Sequence, residues 1–335
     1  MISGDELSQA AVVAGALVVF VFVLAAANLG DRSSTWRVIA FAGVGGVCAI
    51  VALLSIVNIV TVVAAPGLVS VSGVSTTRVL VGNALELTGA VAAPFFLLPW
   101  VRVQLARFLR SFRPESSVNA VAACLYVLVT TVFLSLQVST DQLKAIKQSG
   151  ASPSLLFIIG TNQLPFLVVA FAGVGLFVKR GFRDTLQRLG LYWPGWRWIA
   201  ISAAFAVALV AFGVAFDLLI TKLTPEQSKS INEVSQQLLS NVTNPFAAVA
   251  LALAAGIGEE LLFRGALQPR LGIVAAALLF AVLHTQYSIS LASLEIFILG
   301  LALGLLRKRA GVTGTIIAHA GYDLILLMIP FVIHK

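Results

Sequence analysis

Charge is what this chain has least of. Only 11% of its 335 residues are Asp, Glu, Lys or Arg, against about 25% in a soluble globular domain, and that deficit excludes a water-soluble fold. Cysteine is nearly missing as well. Cys48 and Cys124 are the only two; both lie within apolar runs and read as small packing residues, which leaves no disulfide framework and no cysteine metal site. Neither a low-complexity tract nor a strong internal repeat is visible. The first nine residues carry Asp5 and Glu6 but no Lys or Arg, whereas a secretory leader starts with a basic segment. The first apolar run is therefore expected to be a retained helix with its N-terminus outside.

Apolar residues supply 59% of the chain, at a mean hydropathy of +1.00. They fall into runs long enough to cross a bilayer, which takes about 20 residues per helix. Uninterrupted runs are Ala10–Leu29, Val38–Pro66, Val118–Val138, Leu155–Val178 and Ile199–Ile220. Polar residues interrupt five more: Val79–Trp100, Phe246–Leu267, Gly272–Tyr287, Leu291–Leu306 and Thr315–Ile333. The expectation is an all-α, polytopic transmembrane helix bundle of about ten spanning helices.

Loop charges orient it. With the N-terminus outside, Arg32, Arg37, Arg102, Arg107, Arg110, Arg113, Lys179, Arg180, Arg183, Arg188, Arg197, Arg264, Arg270, Arg307, Lys308 and Arg309 all fall on the inner side, the excess that insertion favours. The five tryptophans fall at the same boundary. Both termini are then predicted outside, and a prokaryotic plasma membrane is the expected location. The net charge of +8 is accounted for by topology and anionic headgroups, so nucleic acid is not an expected partner; the bilayer and a membrane peptide or protein substrate are. Residues 139–154 form the best linker, separating a four-helix region (1–150) without readable chemistry from a six-helix region (151–335). Val101–Phe112 reads as an interfacial amphipathic helix, and Gly300 with Gly304 as a close-packing pair.

Ionisable groups within spanning helices cost about 2.5–3.5 kcal/mol each at the helix centre, and they persist where they pair, line a hydrated cavity or do chemistry. Here they concentrate between residues 246 and 333, in Glu259-Glu260-Leu261-Leu262-Phe263-Arg264, Phe280-Ala281-Val282-Leu283-His284 and His319-Ala320-Gly321-Tyr322-Asp323. Glu260 and Arg264 are four apart, share a helix face and can pair. Glu259 points about 100° away and lacks a local partner, which marks it for general-base chemistry. A turn near Pro269–Gly272 would bring His284 within about 5 Å of the depth of Glu259. Glu86, Asp217 and Glu295 are isolated and are expected to be structural.

These residues resemble the CPBP family, the CaaX proteases and bacteriocin-processing enzymes, whose motifs are E-E-x-x-x-R, F-x-x-x-H and H-x-x-x-N in that order on successive membrane helices. The resemblance implies an intramembrane glutamate-dependent endopeptidase at the C-terminal side. In it Glu259 and His284 activate water, His319 and residue 323 stabilise the oxyanion, and Glu260 with Arg264 supports the site. The chain departs at Asp323, since a carboxylate, unlike an amide, donates no hydrogen bond unless protonated. No cofactor is implied. A zinc hydrolase is the rival chemistry, with Glu259, His284, His319 and Asp323 as ligands, although no H-E-x-x-H places two ligands on one helical face. A non-proteolytic scaffold or bacteriocin self-immunity protein and a transporter are the rival functions. A transporter would carry Gly/Pro-broken helices in corresponding halves, and the halves here do not match.

Overall fold

A computed structural model describes residues 4–65, 75–140, 143–144, 146, 150 and 152–333. The expected linker, residues 139–154, falls partly outside these residues. Helices α1 (Gly4–Gly30) and α2 (Ser34–Ala64) are followed by α3 (Thr76–Ala92), which runs into a 3₁₀ turn at Ala93–Leu97. Next come α4 (Pro99–Phe108), α5 (Ser117–Ser139), α6 (Leu155–Val174), α7 (Phe182–Leu189), α8 (Trp196–Leu223) and α9 (Pro225–Leu239). Two long helical stretches, Pro245–Leu283 and Leu291–Ile333, complete the chain. No strand occurs among the described residues.

Eight of these stretches are long and apolar enough to cross a membrane. The last two each double back at a glycine, so the described residues make ten long apolar legs. Gly272 (φ 86°, ψ 172°) and Gly311 (φ 66°, ψ −171°) adopt a backbone conformation essentially confined to glycine. The reversals follow from contacts. Glu259 and His284 would lie about 37 Å apart on one straight helix, yet their side chains are 3.9 Å apart. Arg264 bonds the carbonyl of Gly300 while its partner Glu260 bonds His319. The legs are α10 (245–271), α11 (273–283), α12 (291–310) and α13 (312–333).

Connections alternate between two faces. Asp31 accepts from the Ser117 amide and pairs with Lys179 at 2.5 Å, Arg270 reaches Asn119, and the Val312 amide donates to Gly190. At the opposite end the Ser154 amide donates to Glu6, and Arg78 to the Val138 carbonyl. The basic loops thus meet on one face, as the charge pattern requires. Trp193 and Trp196 pack edge to face there. Around the bundle Val12, Ile50, Leu53, Val60 and Leu218 are more than half exposed, an apolar perimeter suited to lipid.

Some expectations change. Helix α11 stops at Leu283, short of Tyr287: 11 residues rise about 16 Å, half of the ~30 Å hydrocarbon thickness. The interfacial helix is Pro99–Phe108, and Arg102 on it is buried, donating to Pro114 and lying over Phe41. Arg264, grouped by position with the loop charges, is 1% exposed within the bundle. Gly300 and Gly304 do pack closely, since a methyl group added to them would meet Ala277 at 3.0 Å and Ile273 at 2.7 Å. Cys48 and Cys124 are free thiols with their sulfurs 3.8 Å apart.

Substituting Gly311→Ala puts a methyl group 2.6 Å from the Tyr192 ring on an already strained backbone. The expected cost is about 1–3 kcal/mol, read as a melting point several degrees lower in detergent. Gly45→Ala, on an open face of α2, is expected to leave it unchanged or raise it.

Candidate active site

Glu260 is the pivot of the site. Its side chain is fully buried, and Oε1 accepts from Arg264 Nη1 at 2.5 Å and pairs with His319 Nδ1 at 2.8 Å. A lone carboxylate in this environment would be prohibitive; one shared by two donors is tolerated. Arg264 donates further to the Gly300 carbonyl at 3.2 Å, and its guanidinium lies 4.4 Å from the centre of the Phe280 ring. Four legs are tied through this one network. Gly256 makes it sterically feasible, because an added methyl group there would meet Ala320 at 2.8 Å.

Helix α10 changes pitch at this point. Leu261–Leu267 forms a π-helical segment immediately after the two glutamates, a feature frequent at functional sites. The turn at Gly272 lies 13 residues beyond Glu259 and 12 before His284, which levels the two side chains. His284 ends α11 with non-helical dihedrals (φ −83°, ψ 64°). Its Nδ1 bonds the Phe280 carbonyl at 2.7 Å. A carbonyl only accepts, so Nδ1 carries a proton and Nε2 is the nitrogen turned to the site.

Nε2 of His284 and Nε2 of His319 each lie 3.9 Å from Oε2 of Glu259. That oxygen is buried and has no hydrogen-bond partner, while Oε1 accepts from Gln163 Nε2 at 3.2 Å. Asp323 Oδ2 stands 3.5 Å from His319 Nε2. Glu259, His284, His319 and Asp323 therefore converge on one spot. Phe280 forms its floor, with ring centres 4.6 Å from His284 and 5.9 Å from His319. Among the described residues no group of three or more His, Cys, Asp or Glu is disposed to hold a metal ion.

A cavity of about 560 Å³ opens from this spot. Glu259, His284, Thr285 and Gln286 lie at one end and Arg270 at the other, with Phe20 of α1, Tyr126 of α5, Phe166 of α6 and Leu262 of α10 among its walls. Non-helical backbone at membrane depth is tolerated where it lines such a cavity, which accounts for the 3₁₀ turn Thr285–Tyr287 after α11.

Residues 241–325 match the family described as "Type II CAAX prenyl endopeptidase Rce1-like". The C-terminal part of this chain is thus similar to that family. The matching region holds all four converging side chains together with Glu260 and Arg264. The chain is also similar to an uncharacterized protein, YpbD, of Bacillus subtilis (strain 168), at 30% identity over 121 residues, covering 36% of this chain and 60% of that protein. No solved structure matches the chain.

Gln163 was not singled out from the sequence. Its signal was available: Gly160-Thr161-Asn162-Gln163 interrupts an apolar run just before Pro165. Pro165 lacks an amide hydrogen, and the helix relaxes into a π turn at Ile159–Gln163. Gly258 then lets the Gln163 carbonyl approach to 2.8 Å of where a methyl group would sit. Of the residues expected to be structural, Glu86 accepts from Ser135. Glu295 and Tyr322 both crowd Gly213 of α8.

Breaking the buried pair has a clear signature. Glu260→Gln and Arg264→Leu are each expected to destabilise by about 3–5 kcal/mol by orphaning the other group, measured as lost yield of monodisperse protein and a lower melting point. The double variant should cost less than the sum.

Proposed function

We propose that the chain is an intramembrane endopeptidase that cleaves a membrane-associated peptide or protein with a water molecule activated by Glu259 and His284. The observation that carries this reading is the buried, unpartnered Oε2 of Glu259, equidistant from two imidazole nitrogens at the mouth of the cavity. The Rce1-like match of residues 241–325 supports the same reaction class. The substrate lies in the membrane, and the face with the basic loops is assigned to the cytoplasm.

In this scheme one water hydrogen bonds to the His284 Nε2 lone pair and the other to Glu259. The water oxygen attacks the peptide carbonyl carbon as Glu259 takes its proton. His319, held by Glu260 at Nδ1 and protonated at both nitrogens, offers Nε2–H to the oxyanion. Glu259 then delivers its proton to the amine nitrogen as the C–N bond breaks, leaving a carboxylic acid and an amine. Gln163 positions Glu259 by holding Oε1. The N-terminal region supplies one wall of the cavity through α1 and α5.

Glu259→Gln is expected to lower turnover of a membrane peptide by at least about a hundredfold while the protein stays folded. Comparative proteomics of cells carrying wild type or Glu259→Gln should reveal uncut substrate. Identical proteomes, with a folded variant, would favour the scaffold or immunity reading. Turnover is expected to survive chelation; loss that zinc restores would transfer the four residues to the zinc scheme.

Asp323→Asn supplies N–H donors at any pH and should retain turnover, whereas Asp323→Leu should reduce it at unchanged melting point. A folded Asp323→Asn as inactive as Asp323→Leu would remove the donor role from this position.

A further inference from the structure

The proposed chemistry leaves one constellation unused. On the face with the basic loops, a chamber of about 660 Å³ is lined by Arg110, Arg113, Lys179, Arg180, Arg188 and Arg270. Two carboxylates, Asp31 and Glu115, also line it. Asp31 is engaged by Lys179 and by the amide of Ser117, so it neutralises one cation and leaves the others. Arg270 is buried and has no carboxylate partner: its nitrogens donate to the Ala266 and Gly173 carbonyls and to Asn119 Oδ1. Arg188 feels the crowding, and burial together with the nearby Arg180, Arg307 and Arg113 pulls its guanidinium down to about 10. Asn28 is 1% exposed and lines the chamber, and its Oδ1 has no hydrogen-bond partner.

The chamber does not end at the basic face. Arg270 and Val118 line both it and the apolar cavity that leads to Glu259 and His284. Arg270 and Glu259 are 11 residues apart on α10, so the apolar part extends about 16 Å. That is half the ~30 Å hydrocarbon core, the share of one acyl chain. A cationic chamber at the interface joined to an apolar slot of that length is complementary to an anionic amphiphile, and basic pockets between membrane helices on this side bind lipid headgroups.

We propose that the chamber binds the phosphate headgroup of an anionic glycerophospholipid, with one acyl chain laid in the apolar cavity toward Glu259. A glycerol headgroup also has hydroxyls that can donate to Asn28 Oδ1. A soluble phosphate ester matches the chamber alone; the shared wall favours the lipid.

The test is retention of lipid by the purified full chain, read by native mass spectrometry and thermal stability, with phosphatidylglycerol, phosphatidylcholine and glycerol phosphate as probes. Binding needs no turnover, so Glu259→Gln protein must give the same result, which separates this proposal from the proteolytic one. Phosphatidylglycerol is expected to be retained at least about tenfold over phosphatidylcholine. Arg110→Gln/Arg113→Gln/Arg188→Gln should abolish that preference, since each cation near a headgroup contributes about fivefold. If the triple variant does not fold, Arg110→Gln/Arg113→Gln, both on an exposed loop, should still lower the preference by about fivefold for each cation removed. Ala122→Trp, filling the cavity, should weaken phosphatidylglycerol and leave glycerol phosphate unaffected. Equal retention of the two lipids overturns the proposal. So does glycerol phosphate stabilising as well as phosphatidylglycerol.

Discussion

A carboxylate with no exposed surface, Glu260, sets the arrangement of everything around it. Removed from water, it is tolerable only with strong donors held in place, and it has two: Arg264 one turn on, and His319 from the last leg. Arg264 brings in the Gly300 carbonyl of α12 and stacks on Phe280 of α11. Four legs are thereby registered on one charge. Small residues at Gly256, Gly300 and Gly304 let the backbones come close enough for it. Membrane helices gain nothing from hiding apolar faces from lipid, so packing and buried polar contacts must specify the bundle.

The pair of adjacent glutamates divides two tasks by angle. Glu260 faces into the protein, where its Oε1 takes both donors, Arg264 and His319, and its Oε2 has no hydrogen-bond partner. Glu259, about 100° around the helix, faces the cavity with one oxygen held by Gln163 and the other unpartnered. The π segment that follows and the early end of α11 bring Glu259 and the two imidazoles to one level. Side chains that are isolated in sequence become a proposed catalytic set because each is oriented by a neighbour with no role in the proposed chemistry: Phe280 for His284, Glu260 for His319, Gln163 for Glu259.

Much of this was legible before any coordinates. Composition required membrane helices, and the excess of basic residues in alternate loops required the two faces that the Asp31, Lys179 and Arg270 contacts display. The four-residue spacing of Glu260 and Arg264 indicated their pairing, and Pro269–Gly272 marked the reversal. What escaped were departures from regular helix. Periodicity assumes 3.6 residues per turn, so it could not register the π turns at Ile159–Gln163 and Leu261–Leu267 or the halt of α11 at Leu283. Contacts between distant helices escaped too: Cys48 beside Cys124, Gln163 on Glu259, and Arg102, Arg264 and Arg270 buried where charge alone placed them in loops or at the interface.

The two glycine reversals constrain how such a chain can diversify. A turn made by one residue has no slack, and an insertion at Gly272 or Gly311 would shift every side chain beyond it around its helix and out of register with Glu260. New sequence is more readily accommodated in the longer connections, around residues 109–116, 175–181, 224–244 and 284–290. Lineages built on this plan should therefore differ in length in those connections and stay invariant in length at the two glycine turns.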